Sequence, residues 1–344
     1  MMKKRIGIAG FGVVGKRRRA HIDETCQMQT VAVCDQTFAG SATLPDGLHA
    51  YSHYRDLLAN EQLDALFISL PNYMAPEVAV AALERGLHVF CEKPPGRTVE
   101  DIERVIAVER ASPGLVLKYG FNHRYHDSVQ EGLRLVHAGT LGKIINLRGI
   151  YGKSTIVPFE GSWRAKREHA GGGILLDQGI HMVDLIRLFG GEFPEVKSFV
   201  SNAHWREDVE DNAYALMRGD DGRIAILHSS ATQWQHRFSL EIAMTEGYIV
   251  LQGILSSSKS YGQERLIVGH RAQSPNGTAH EEVFTFLDDH SWRDEVQEFA
   301  RAIADAEPLA CGTSADALET MRLVYRIYWA DPEWRQAWSI VNPQ

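Results

Sequence analysis

The 344-residue chain contains no run of 18 apolar residues, so no membrane-spanning helix is expected. Its four cysteines, Cys26, Cys34, Cys91 and Cys311, include no pair spaced for a zinc knuckle or a redox couple. A disulfide scaffold and a thiol metal centre are thereby excluded, and a reducing, cytoplasmic location is expected. The 15 histidines are scattered without an H-E-x-x-H pair, and no metal site is expected. Basic residues are in the minority: 36 Lys and Arg against 44 Asp and Glu give a net charge of −8. Such a field argues against nucleic acid and anionic membrane surfaces as partners. Internal repeats and low-complexity tracts are absent as well.

What remains is an ordinary globular mixture, 44% hydrophobic and 23% charged, long enough for about two domains. The basic Met1 to Arg5 followed by the apolar Ile6 to Gly15 imitates a secretion signal. Four glycines in that stretch, the basic cluster Lys16 to Arg19 and the lack of a cleavage site favour a strand and a glycine turn instead. The first third alternates apolar strands (4–9, 30–34, 65–70, 88–91, 115–119) with helical patterns, which predicts a parallel sheet covered on both faces. Beyond Gly120 the pattern changes. Helices are expected near 127–137, 176–189, 291–306 and 315–329, with a strand near 143–151 and a polar loop over 157–173. From 196 to 286 strands are separated by turn signals at 219–222, 246–247 and 274–277. The fold class is therefore α/β, with an N-terminal doubly wound parallel sheet and a C-terminal α+β domain carrying a mainly antiparallel sheet. The domains are placed at 1–122 and 123–344.

Gly10-Phe11-Gly12-Val13-Val14-Gly15 is a G-x-G-x-x-G turn between a strand and a helix. Its glycines permit a tight turn, close approach of a pyrophosphate, and close packing of helix on strand. Asp35 ends the second strand, where a carboxylate receives an adenosine ribose. That carboxylate would repel a 2′-phosphate, which favours NAD over NADP. Arg17 to Arg19 read as a solvated helix face. The same residues imitate a P-loop, but Arg17 stands where Ser or Thr would hold magnesium. Lys93 follows a strand, at the sheet edge where ligands bind in such folds. Asp177, His181 and Asp184 are spaced to share one face of a helix, where a carboxylate can orient an imidazole for acid–base work. A satisfied polar stripe would show the same spacing.

Together the glycine turn, Asp35, Pro71-Asn72, Glu92-Lys93-Pro94, Gly120-Phe121-Asn122-His123-Arg124-Tyr125, Ser162-Trp163-Arg164 and G-G-G-x-L-x-D-x-G-x-H at 171–181 resemble the Gfo/Idh/MocA oxidoreductase family. The resemblance implies Lys93, Asp177 and His181 as the catalytic group. It implies cofactor contacts at Gly10, Phe11, Gly12, Val13, Val14, Gly15, Asp35, Pro71, Asn72, Glu92, Lys93 and Asn122. Substrate contacts are implied at Lys93, Arg124, Trp163, Arg164, Asp177 and His181. Tyr73-Met74-Ala75 departs from the family, which often carries a histidine after P-N. The expected activity is hydride transfer between NAD and a secondary alcohol or ketone of a sugar-like substrate. A glycoside hydrolase using transient oxidation and a dinucleotide sensor remain alternatives. The basic loop Ser162 to His169 suggests an acidic or nucleotide-linked sugar, with Arg164 as its contact. The resemblance further implies a Rossmann fold for the first domain, a large, mostly antiparallel open sheet in the C-terminal α+β domain, and a homodimer or homotetramer through that sheet. Trp234, Trp292 and the aromatics Tyr325, Tyr328, Trp329, Trp334 and Trp338 read as packing residues.

Overall fold

The computed structural model describes residues 2–154, 162–256, 260–271, 277 and 280–343. Part of the loop expected over 157–173, and most of the turn expected at 274–277, lie outside them. The chain divides into two compact units, 1–122 with 292–319, and 123–291 with 320–344. The segment Trp292–Glu319, placed by sequence with the second domain, thus packs in the first unit.

In the first unit the apolar runs form strands β1 (Lys4–Ala9), β2 (Met28–Cys34), β3 (Ala42–Thr43), β4 (His49–Tyr51), β5 (Ala65–Ile68), β6 (His88–Glu92) and β7 (Leu117–Gly120). Helices α1 (Val13–Glu24), α2 (Tyr54–Asn60), α3 (Ala75–Leu83) and α4 (Val99–Ala111) alternate with them. The sheet order is β3-β4-β2-β1-β5-β6-β7. All pairs are parallel except β3–β4, a short hairpin too polar to stand out in the sequence. The chain leaves β1 for β2 on one side and returns to β5 on the other, which opens a crevice at the carboxyl ends of the strands. Ile6, Ile8, Val33, Phe67 and Phe90 build the core together with Val296, Phe299 and Ala300 from the returning segment. Phe67 stacks on Phe90 at 4.7 Å, and Phe299 meets both edge-on.

The second unit opens with α5 (Asp127–Ala138), β8 (Ile144–Ser154), the short α6 (Arg167–Ala170) and α7 (Ile180–Gly190). It continues through β9 (Glu195–Ser201), β10 (Asn212–Arg218), β11 (Ile224–Gln233), β12 (Arg237–Met244), β13 (Gly247–Gln252), β14 (Glu264–His270) and β15 (His280–Phe286). The helices α8 (Ser291–Asp305), α9 (Ser314–Ala330) and α10 (Pro332–Trp338) end the chain. The sheet order is β15-β14-β13-β12-β8-β11-β10-β9, antiparallel throughout except for β11 on β8. In β10 the alternation is strict: Ala213, Ala215 and Met217 are buried while Tyr214 and Leu216 are exposed. Phe199 lies opposite Tyr214, and Leu216 opposite Ile226, so the outer face carries apolar side chains in adjacent strands.

The helix expected over 176–189 differs from expectation at its start. Leu175–Gly179 is a π-turn, which runs into α7. A wider turn of this kind is frequent at functional sites. Among the described residues no helix is long and apolar enough to cross a membrane.

Candidate active site

The first unit brings most of the residues implied for the cofactor to one edge of its sheet. Gly10 follows β1, Asp35 follows β2, Pro71 and Asn72 follow β5, Lys93 follows β6 and Asn122 follows β7. Gly10 has a φ of +90°, and a side chain on it would run into the Ser69 carbonyl. A Cβ on Gly15 would stand 2.0 Å from the Gly10 carbonyl oxygen, so this helix can sit this close to β1 only with glycine there. Gly12, in contrast, faces open space and caps α1 with no side-chain hydrogen bond. The result is a bare cradle at a helix N-terminus, which fits a pyrophosphate. Val13 and Val14 are exposed beside it, and Phe11 packs on Phe38. The Asp35 carboxylate accepts a hydrogen bond from Phe11 N–H at 2.9 Å and two more from Thr37. It therefore ties the glycine turn to the end of β2.

Glu92 is engaged by protein. Its Oε1 accepts from Arg18 Nε–H at 2.6 Å. This overturns the reading of Arg17 to Arg19 as a solvated face: Arg18 is fully buried, because two carboxylates and two aromatic rings surround it. Arg17 stacks on Trp292 at 4.2 Å, and Arg19 pairs with Asp23 and Asp46. Lys93 and Asp35 are half-buried, Asn72 and Asn122 are buried, and Tyr73 is exposed.

The second unit collects Trp163, Arg164, Asp177 and His181. Ser162 caps a single 3-10 turn over Trp163–Ala165. From it Arg164 lies over the Trp163 ring at 4.5 Å and reaches Asp177, with Nε 3.5 Å from Oδ1. The His181 ring is buried and stacks on His123, centroids 3.6 Å apart and planes 13° apart. His123 Nε2 is 3.2 Å from the Tyr151 hydroxyl, which is hydrogen-bonded to Tyr261. Burial pushes both tyrosine hydroxyls well up, and Asp177 adds to the effect on each. Both hydroxyls therefore stay neutral and act through hydrogen bonds.

Arg124 and Asp184 pair with each other. Arg124 forks onto Asp184 with two 2.7 Å hydrogen bonds, and Thr320 donates a third to the same carboxylate. Both are buried, so this pair fixes α7 against the segment that follows β7.

The π-turn that carries Asp177 is held by Glu210, a buried residue on none of the sequence motifs. Its carboxylate accepts from Gly173 N–H at 2.7 Å, Leu175 N–H at 2.9 Å and the Tyr328 hydroxyl at 2.6 Å. Burial raises its pKa, and these three donors work against that rise. A Cβ on Gly173 would stand 2.1 Å from the Glu210 carbonyl oxygen, which explains a glycine in the triplet. His123, Tyr151, Tyr261 and Glu210 were not found from the sequence. Only His123 carried a signal, through its place in the motif at 120–125.

Residues 4–120 match the family described as "Oxidoreductase family, NAD-binding Rossmann fold", and residues 129–250 match the GFO/IDH/MocA C-terminal domain. The chain is 26% identical over 328 residues to D-xylose 1-dehydrogenase (NADP(+)) 2 of Haloferax volcanii, covering 94% of this chain and 95% of that protein. It is 29% identical over 205 residues to 1,5-anhydro-D-fructose reductase of Ensifer adhaerens, a match to 58% of this chain and only 60% of that protein's length. Levoglucosan dehydrogenase in complex with NADH and levoglucosan has the same fold, with a TM-score of 0.83 at 21% identity over 97% of this chain and 98% of that one. Both halves of the chain thus match domains of one family, and the protein belongs to the Gfo/Idh/MocA oxidoreductase family.

Proposed function

We propose that the protein is an NAD-dependent dehydrogenase or reductase acting on a secondary alcohol or ketone of a sugar or sugar derivative. Lys93, Asp177 and His181 form its catalytic group. The observation that carries this reading is the pair Asp177 and His181: a half-buried carboxylate and a buried imidazole one turn apart, each fixed by neighbours of its own. His181 takes the hydroxyl proton during oxidation and returns it during reduction. Lys93 donates a hydrogen bond to the same oxygen and stabilises developing negative charge. Asp177 and Arg164 bind neighbouring hydroxyls, and the Trp163 ring beneath Arg164 limits where that guanidinium can go.

The glycine turn and the α1 N-terminus would hold the dinucleotide pyrophosphate, and Asp35 the adenosine ribose. When bound, the nicotinamide supplies the hydride acceptor or donor. Engagement of Arg17 by Trp292, Arg18 by glutamates and Arg19 by aspartates supports NAD over NADP. The apolar outer face around Phe199, Tyr214, Leu216 and Ile226 supports a homodimer or homotetramer through the C-terminal sheet. None of the four cysteines is joined in a disulfide, in keeping with a cytoplasmic site.

Absorbance at 340 nm with NAD and a panel of neutral, uronic and nucleotide-linked sugars tests the reading. Net NADH formation with at least one of them is expected. Glycoside cleavage without net NADH, or NAD binding without turnover of any sugar or glycoside, would overturn it.

A further inference from the structure

Lys93 leaves the sheet one residue after Glu92, and the Glu92 side chain is not loose. Arg18 of α1 donates to it from Nε at 2.6 Å, while Nη2 of the same guanidinium lies 2.7 Å from Glu295 of α8. The guanidinium is layered between the Phe90 ring at 4.5 Å and the Trp292 ring at 4.2 Å. Arg18 and Glu295 are both fully buried. Gly120 of β7 leaves the room this clamp needs, since a Cβ there would stand 3.0 Å from Glu92 Oε2 and 3.1 Å from Arg18 Nη2. A buried ion triad of this kind is an expensive way to stabilise a domain, because apolar residues of similar volume do as well or better. Its directional contacts can instead fix one geometry, and the residue next to its exposed end is Lys93.

We propose that Arg18 is a positioning residue for Lys93: by holding the Glu92 carboxylate it fixes the strand end from which the lysine projects, and α8 completes the clamp through Glu295 and Trp292. This rests on the reading of Lys93 as a catalytic group. The charged groups facing Glu295 are Arg18 of α1, Glu92 of β6 and Lys118 of β7. Burial, with Glu92 adding to it, outweighs the two cations and brings the Glu295 carboxyl to about 7. Arginine suits the place because its flat guanidinium can stack on both rings while pairing with both carboxylates.

The test compares Arg18→Lys, Arg18→Met and the double variant Arg18→Met/Glu295→Met. Three quantities are read: melting temperature, trace acetylation of each lysine by acetic anhydride followed by mass spectrometry, and kcat with NAD and sugar. Arg18→Met strands two acids and is expected to lose stability. The double variant removes one of them and is expected to regain it. If Arg18 positions Lys93, the double variant still shows Lys93 acetylation altered against Lys3 and Lys16, and kcat reduced by about 10- to 100-fold, the usual effect of displacing a catalytic group by about 1 Å. Arg18→Lys is expected to give the same Lys93 change at a near-normal melting temperature. Wild-type Lys93 acetylation and kcat in the double variant, or in a stable Arg18→Lys variant should the double not fold, would overturn the proposal. Were the wild type inactive on every sugar, the dehydrogenase reading would fail, while the acetylation pattern would still decide whether Arg18 sets Lys93.

Discussion

Replacing Glu210 perturbs Asp177 and His181 without touching either. Its carboxylate accepts the Leu175 N–H at the start of the π-turn, the Gly173 N–H just before it and the Tyr328 hydroxyl, all at 2.9 Å or less. Glu210→Ala strands three buried donors. At roughly 1–3 kcal/mol each, and allowing for relaxation, the loss is about 4–6 kcal/mol. Glu210→Gln is the sharper variant. Its amide has one oxygen, and if that oxygen serves Leu175 and Tyr328, the NH2 group faces the Gly173 N–H. Turned over, it faces the Leu175 N–H instead. One donor–donor conflict remains either way, costing about 1–3 kcal/mol, and the π-turn must shift to relieve it. A shift of about 1 Å in a catalytic group lowers turnover by up to about 100-fold. Urea unfolding and steady-state kinetics with NAD and sugar are the assays. The expected result is a loss of about 1–3 kcal/mol, a fall in kcat of about 10- to 100-fold, and unchanged NADH affinity, since the glycine turn belongs to the other unit. Tyr328→Phe removes one donor only and is expected to cost about 1 kcal/mol. Stability within about 0.5 kcal/mol of wild type together with unchanged kcat in Glu210→Gln would refute the role assigned to this residue.

Three further outcomes are expected. Glu295 has its carboxyl raised from 4.5 to about 7 in the folded protein, so its contribution is fully present below pH 4.5 and is lost as pH rises through about 7. At about 1.4 kcal/mol per pH unit that is about 3 kcal/mol, and the stability difference between wild type and Glu295→Gln should change by about this much across the window when followed by urea unfolding. Gly15→Ala forces a Cβ against the Gly10 carbonyl oxygen and pushes α1 off β1, so both NADH affinity, read by fluorescence titration, and the melting temperature should fall. Arg124→Met leaves Asp184 buried without its ion partner, and unfolding measurements should show a loss of about 3–5 kcal/mol, as for other broken buried pairs.

The parallel sheet was legible because β1, β2, β5 and β6 are short apolar runs with glycine, acid or proline at their carboxyl ends. The same property placed Gly10, Asp35 and Lys93 at one edge. The hairpin β3–β4 escaped because two- and three-residue strands have no periodicity to read. Arg18 looked like surface because it stands in a run of four basic residues. Nothing local announces that a helix nearly 280 residues later brings Glu295 and Trp292 to it. The π-turn escaped for a similar reason: the 171–181 motif fixes which residues occur, while the Glu210 carboxylate that holds the start of the turn comes from a separate loop. Asp184 shared a helical spacing with Asp177 and His181, yet its partner is Arg124, and spacing alone could not tell a proton-handling group from an ion-paired one.

The most direct test of the central claim compares wild type with Lys93→Ala, measuring the initial rate of NADH formation at 340 nm on the best sugar and the NADH affinity of each. The expected result is a fall in turnover by orders of magnitude in the variant with near-normal NADH binding. Near-normal turnover in Lys93→Ala would contradict it.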